Sequence, residues 1–399
     1  MHRTQRRGWR IAGLVVATAV TLAACGSSSK KSSSSSNNAS SSGGGAKCAN
    51  LAIGFFGALT GDSANLGINE RNGTKLAVQQ FNAANPSCQV KLQEYDSAGD
   101  PAQAPALAQK AVQDTSVVAL IGPAFSGESK VADPIFDEAG LPLITASATN
   151  PSLSTHGWKV FHRAVGNDNS QGPAAAKYML DTLKAKKIAV LDDASEYGKG
   201  IADIVRTKVK DGGGTVADSE SIDPKGTDFS STVTKIKAAG ADAVFFGGYY
   251  QAAGVLAKQL KDGGVTGTFV APDGSEDPGF VKAAGAAAEG AILLAPAAPI
   301  DKVQGGAKFQ TDYKAAFNTD VGLYSVEAYD GANAELEAIK NGATTRKAIN
   351  DYLNTKTNYQ GLSKTLKFDD KGELAGAVTI YAYQVQSGVI KGLTTVAAS

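Results

Sequence analysis

Histidine and cysteine are nearly absent from this chain, with three of each in 399 residues. That scarcity excludes a small fold stapled by many disulfides and leaves no set of soft ligands spaced for a metal. Tryptophan and methionine number two each. The 39 basic and 38 acidic residues nearly cancel, so no basic surface for nucleic acid is expected. Also missing are a G-x-G-x-x-G turn, a Walker loop, a C-x-x-C pair and a G-x-S-x-G elbow. No apolar run approaches the ~20 residues that cross a bilayer as a helix. The chain is therefore not read as an enzyme, and neither a cofactor nor a metal is expected.

The first 25 residues carry a different signal. Arg3, Arg6, Arg7 and Arg10 precede an apolar stretch over residues 11–22, which closes on Leu22-Ala23-Ala24-Cys25. A basic end, a short apolar segment and small residues before a cysteine form the layout of a bacterial lipoprotein signal over 1–24, with Cys25 as the lipid-bearing residue. Arg6-Arg7 also meets the minimum for a twin-arginine signal. Residues 25–46 are nearly all Ser, Gly, Asn and Ala, too polar to bury a core. They read as a flexible tether spanning roughly 25 Å. Removal of 1–24 leaves 35 basic against 38 acidic residues, a net charge of −3.

About 350 residues remain, which favours two domains. Strand-length apolar runs at 51–56, 90–95, 117–121, 143–145, 188–191, 243–246, 268–271 and 291–294 alternate with helical segments such as 102–114, 173–183, 201–209 and 252–260. Such alternation means parallel sheets covered by helices, here two doubly wound α/β lobes. Cys48 and Cys88 each stand just ahead of a strand. In an exported chain they either pair or remain as buried thiols, and pairing requires the two strands to be neighbours. Ligands in doubly wound sheets bind beyond the carboxyl ends of the strands. The loops there are rich in small and hydroxylic groups: Ser126 after 117–121, Ser147, Ala148 and Thr149 after 143–145, Tyr197 after 188–191, Tyr249 after 243–246 and Asp273 after 268–271. Ser126 suits a helix cap or an anion site at a helix start. His156 and His162 read as surface or packing residues, and Asp192-Asp193 and Asp369-Asp370 as solvated or turn-capping acids.

Several segments in order resemble the type I periplasmic binding proteins of ABC importers, particularly the leucine/isoleucine/valine-binding group. They are Tyr95-Asp96-Ser97-Ala98-Gly99-Asp100-Pro101, the run from Leu143 through Thr149, Gln171-Gly172-Pro173, Glu196-Tyr197-Gly198, Gly247-Gly248-Tyr249 and Phe368-Asp369-Asp370-Lys371-Gly372. The resemblance implies two lobes joined by three crossovers near Asn167, Ala297 and Ala377, with 47–166 and 297–377 in one lobe and 167–296 and 378–399 in the other.

It also implies a ligand site. Ser126 and Thr149 would donate to an α-carboxylate, Ser147 beside Ala148 would offer a carbonyl to the α-ammonium, and Tyr197 and Tyr249 would close from the second lobe. Asp273 stands where the family uses a glutamate for the ammonium, Leu66 where it has an aromatic side chain, and Tyr324 at the far wall. Gly99 and Phe125 replace the family's disulfide in the first lobe. By this resemblance the protein would be a monomeric receptor, lipid-anchored through Cys25 at the extracytoplasmic face of the bacterial membrane. It would capture an aliphatic, branched-chain-like amino acid and pass it to an ABC permease. The departures at Leu66 and Asp273 leave open an amide, urea or aromatic acid, and the same fold would serve a sensory lipoprotein that presents its ligand to a signalling partner.

Overall fold

The computed structural model describes Cys48 and residues 50–396. The expected signal, Cys25 and the tether lie outside the described residues. Two sheets organise the body. In the first, β1 (Leu51–Gly57), β2 (Val90–Asp96), β3 (Val117–Ile121), β4 (Leu143–Thr145) and β5 (Phe161–Arg163) run parallel in the order β2-β1-β3-β4-β5. In the second, β6 (Lys187–Asp192), β7 (Thr215–Ser221), β8 (Ala243–Gly247), β9 (Thr268–Pro272) and β10 (Ile292–Ala295) are parallel in the order β7-β6-β8-β9-β10. A two-stranded ribbon, β11 (Tyr359–Gln360) and β12 (Thr365–Leu366), follows in the chain. The C-terminal hairpin, β13 (Ile380–Gln386) and β14 (Val389–Val396), then extends the second sheet antiparallel beyond β10.

Strands β3 and β8 are apolar on both faces and fully buried, as a parallel strand between two helical layers must be. The strands that sequence reading missed lack that signature. Strand β7 reads TVADSES and is only half buried at the sheet edge, so water on one side removes the need for a continuous apolar run.

The helices are α1 (Ala64–Ala84), α2 (Ala104–Gln113), α3 (Ser126–Glu138), α4 (Asp168–Lys177), α5 (Glu196–Asp211), α6 (Ser230–Ala239), α7 (Tyr250–Asp262), α8 (Pro278–Ala284), α9 (Gly306–Phe317), α10 (Ser325–Lys340) and α11 (Arg346–Thr355). Helix α5 shows how sequence makes them. The Ser195 side chain caps its start by accepting from Gly198 N, Tyr197, Ile201, Val205 and Val209 recur at helical spacing on the buried face, and Lys208 and Lys210 stand in the last turn, each favourable to the helix dipole. Helix α4 begins five residues before the expected Pro173. Asn167 caps it by accepting from Asn169 N, and it runs into a π turn over Tyr178–Thr182.

The chain passes between the sheets three times: from β5 to β6, from β10 back to α10, which packs on α1, and from β12 to β13. Strands β1 and β2 are parallel neighbours, and Cys48 and Cys88 just ahead of them form a disulfide with a Cα separation of 4.7 Å. Closing a loop of 40 residues is worth about 4 kcal/mol in the chain-entropy account.

Candidate functional site

Each sheet reverses its strand order once, at β1/β3 and at β6/β8. The crevices beyond those reversals are where open α/β sheets hold ligands, and here the two face each other. From the first sheet, the start of α1 brings Leu66, the loop after β3 brings Ala124, Phe125 and Ser126, and the loop after β4 brings Ser147. From the second, the first turn of α5 brings Tyr197, the loop after β8 brings Tyr249, and the end of β9 brings Asp273. Tyr324 enters from the residue before α10, with a φ of 64°. That left-handed backbone is costly for a bulky residue and recurs at functional sites.

The start of α3 differs from the expected cap. Phe125, extended at φ −118° and ψ 141°, holds the capping position and no side chain closes the helix. Ser126 is the first helical residue, 1% exposed, and its hydroxyl accepts from Asn150 N at 3.2 Å. An amide arriving from the β4 loop has taken the oxygen that would have turned back on the helix. The first amides of α3 are thus left without a helical partner or a side-chain cap.

Asp273 sits at the centre, 3% exposed. Its Oδ1 accepts from Tyr197 Oη at 2.6 Å and Gln171 Nε2 at 2.7 Å, and its Oδ2 accepts from Tyr324 Oη at 2.7 Å. Gln171 Oε1 accepts from Asp273 N at 3.1 Å, and Tyr197 Oη accepts from Gly274 N at 3.0 Å. A side chain at Gly274 would stand 2.7 Å from the Tyr197 ring, so only glycine lets this tyrosine reach the acid. Burial raises the Asp273 carboxyl above the ordinary range, while its three donors hold it down. Gln171 also donates to Asp168 at 3.1 Å. Asp168 is raised by burial and then by the neighbouring charge of Asp273.

These groups line a narrow cavity with about 20 Å³ of free space, room for roughly one water molecule, so the closed halves leave little unfilled volume between them. A wider depression of about 610 Å³ lies at α6 and α7. Its polar groups Ser230, Thr234, Lys237 and Asp262 are exposed, and half-buried Gln259 is bonded to Phe229 N and Thr227 O, so it lacks free buried recognition chemistry. Leu66, Ser126, Ser147, Tyr197, Tyr249, Asp273 and Tyr324 line the interlobe cavity as a group. Ala148 and Thr149 lie behind it. Ala148 N donates to Thr145 Oγ1 at 3.0 Å, and the Thr149 carbonyl accepts from Asp168 N and from Arg163 Nη1 at 2.9 Å. The Thr149 hydroxyl is buried without a hydrogen bond of good geometry, yet near enough to Asp168 to favour its charged form.

Sequence reading missed Glu70, Phe125 as a wall residue, Gln171 and Arg163. Glu70 follows Leu66 by one helical turn, which puts both on one face, and that spacing was the available signal. Arg163 is fully buried and holds the β4 loop by donating to Thr149 O and Asn150 O, both at 2.9 Å. Nothing local marks it. The pair Asp192-Asp193 also departs from expectation, because both are buried. Asp192 pairs with Arg206 and accepts from Ser221 Oγ at 2.6 Å and Ala194 N at 3.0 Å, while Asp193 accepts from Ser195 N at 3.0 Å. The turn is capped, but from inside. Asp369 and Asp370 are exposed, and Asp369 accepts from Lys371 N and Glu373 N.

The two halves touch across the crevice. Lys130 on α3 pairs with Glu196 on α5 at 2.7 Å, Asn150 Nδ2 donates to Glu196 O at 2.8 Å, and Asn65 Nδ2 donates to Asp277 at 2.9 Å. Phe125 meets Tyr249 edge to face at 5.3 Å. The conformation is closed. Among the described residues, no three His, Cys, Asp or Glu side chains are grouped to hold a metal ion, and no helix is long and apolar enough to cross a membrane. His162 is buried between Leu143 O and Asn354, and His156 stacks on Trp158.

A periplasmic binding protein family profile matches residues 50–389. The leucine-, isoleucine-, valine-, threonine- and alanine-binding protein of Pseudomonas aeruginosa is 34% identical over 327 residues, covering 81% of this chain and 87% of that protein. The Leu/Ile/Val-binding protein of Escherichia coli K12 is 32% identical over 333 residues, covering 83% and 90%. Among solved structures, the branched-chain amino acid transporter substrate binding protein LivJ of Streptococcus pneumoniae, in complex with isoleucine, superposes with a TM-score of 0.80 at 29% identity, covering 86% of this chain and 99% of that one. With two reversed sheets closing on a cavity and a match over most of its length, the chain belongs to the periplasmic binding protein family.

Proposed function

We propose that this protein is an amino-acid receptor of an ABC importer, which closes on a small aliphatic α-amino acid and presents it to a membrane permease. One observation carries the reading: a buried carboxylate on one lobe, Asp273, shares a closed cavity with the uncapped start of a helix on the other, at Ser126. A zwitterion supplies the complementary charges. Its carboxylate would take the first α3 amides and the Ser126 region, and its ammonium would take the acceptor capacity that remains on Asp273. Leu66 and Phe125 furnish apolar walls.

The magnitudes suffice. A helix dipole gives about 0.3–2 kcal/mol, charge-assisted hydrogen bonds about 1.5–3 kcal/mol each, and about 100 Å² of buried aliphatic surface about 2.5 kcal/mol. Less the cost of closure, these reach the ~8 kcal/mol of a micromolar complex. An aromatic acid without an amine would leave Asp273 unpaired in a closed site, which counts against that alternative. Relatives that bind leucine, isoleucine, valine, threonine and alanine support the same class.

Calorimetry of the full chain, stripped of co-purifying ligand, against the twenty amino acids is the test. Micromolar or tighter binding is expected for at least one of those five, and silence from all twenty would remove the proposal. Anchoring through Cys25 is part of the reading and rests on Leu22-Ala23-Ala24-Cys25 and the polar tract behind it. A Cys25→Ser chain should leave the membrane fraction, and its retention there would count against lipidation.

A further inference from the structure

We propose that Glu70 is a specificity-determining residue of this cavity, selecting a short α-amino acid whose side chain bears a hydroxyl over its purely aliphatic isostere. The inference rests on the amino-acid reading above and narrows it. Glu70 is 1% exposed, lines the cavity with Leu66, Ser147, Tyr324 and Asp273, and its Oε2 has no hydrogen-bond partner. The Ser147 hydroxyl lies within hydrogen-bond reach of the Glu70 carboxyl, but it commits its proton to Ala124 O at 2.5 Å and can serve the acid only as an acceptor, which leaves Oε2 open. Burial drives the Glu70 carboxyl well above its ordinary range, the Ser147 hydroxyl pulls the other way, and the nearby charges of Glu128 and Glu327 add to the rise.

Asp273 and Glu70 therefore face one small space with different needs. Asp273 already receives three donors and is placed for the α-ammonium. Glu70 brings an unpartnered Oε2 to a site that shuts out water. An aliphatic side chain would leave it so on closure, and an unmet buried polar group penalises binding. A hydroxyl satisfies it in either protonation state, donating to the carboxylate or accepting from the acid. The narrow cavity, with about 20 Å³ of free space when closed, favours a short side chain over a long one.

Threonine and valine have the same shape and differ by a hydroxyl for a methyl, so their affinity ratio isolates the effect. In calorimetry with the full chain, stripped of ligand, threonine should bind at least about tenfold tighter than valine, equivalent to ~1.4 kcal/mol. Glu70→Leu should reverse the order, with Glu70→Met, closer in length, as a second variant should the first fail to fold. Glu70→Gln, which retains a donor and an acceptor, should keep the preference. A wild-type protein that binds valine as tightly as threonine overturns the proposal, as does a preference unchanged in the apolar variants, and in both cases the amino-acid reading stands. Failure of all twenty amino acids to bind removes that reading and this inference together.

Discussion

Asp273→Asn should lower amino-acid affinity at least a hundredfold while leaving the unliganded fold as stable as before or more so. Removing one partner of a buried ion pair costs about 3–5 kcal/mol because the other charge is left stranded, and each 1.4 kcal/mol is tenfold in affinity. The fold pays nothing comparable. Asparagine keeps the oxygen that accepts from Tyr197 and Gln171, and the Tyr324 hydroxyl, now a donor to Oδ2, can turn to accept from the amide. The substitution also removes a carboxylate whose charged form burial disfavours. Calorimetry measures the first effect and urea unfolding without ligand the second. Retained affinity would show that the ammonium is held elsewhere. A large loss of unliganded stability would mean that Asp273 is structural.

Between pH 8 and pH 6.5, stability and affinity should move in opposite directions. Glu128 is fully buried, bonded to the Ser97 hydroxyl, and pushed up by burial to about 8. Glu70, Asp133 and Glu335 are raised by the same cause. A carboxyl with a raised native pKa is protonated in the folded state at pH values where the unfolded chain has lost the proton. Its contribution is full below the ordinary carboxylate range and is lost as pH rises through the native value. Lowering the pH from 8 to 6.5 should therefore stabilise the unliganded protein by about 1.6 kcal/mol through Glu128, with the other raised acids acting in the same direction.

Groups of lowered pKa, such as Asp96 and Asp242, titrate below this window. Buried His162, shifted down, opposes the trend as the unfolded imidazole charges, but by only about 0.4 kcal/mol at about pH 6.5, where that imidazole is half protonated. Binding has the other sign, because a cationic ammonium needs Asp273 ionised and burial raises that carboxyl, so affinity should weaken as falling pH protonates it. Denaturation midpoints with and without ligand at the two pH values check both trends. Stability that is flat or rises with pH would contradict the buried-acid account.

The strands themselves were readable where burial is two-sided. Runs such as Val117–Ile121 and Ala243–Gly247 are unbroken apolar segments because helices cover both faces. It was unreadable at β7 and in the β13–β14 hairpin, where one face meets solvent and polar residues intrude. In the site, the loop residues Ser126, Ser147, Tyr197, Tyr249 and Asp273 stood out because each follows a strand end, a position set by the local pattern. Arg163 looked like an ordinary strand residue. Only the packed structure reveals that its guanidinium, with no exposure, supports the carbonyls of Thr149 and Asn150.

Hydrophobic periodicity and turn chemistry are properties of neighbouring residues, so the chain alone determined a two-sheet α/β body with its polar groups gathered beyond the strand ends. Distances between remote residues are not local properties. Gln171 meets Asp273 across 102 positions, Tyr324 reaches the same acid across 51, and Asn150 touches Glu196 across 46. Tertiary packing decided those meetings, and with them which buried acids face the cavity and that Glu70 does so with an unpartnered Oε2.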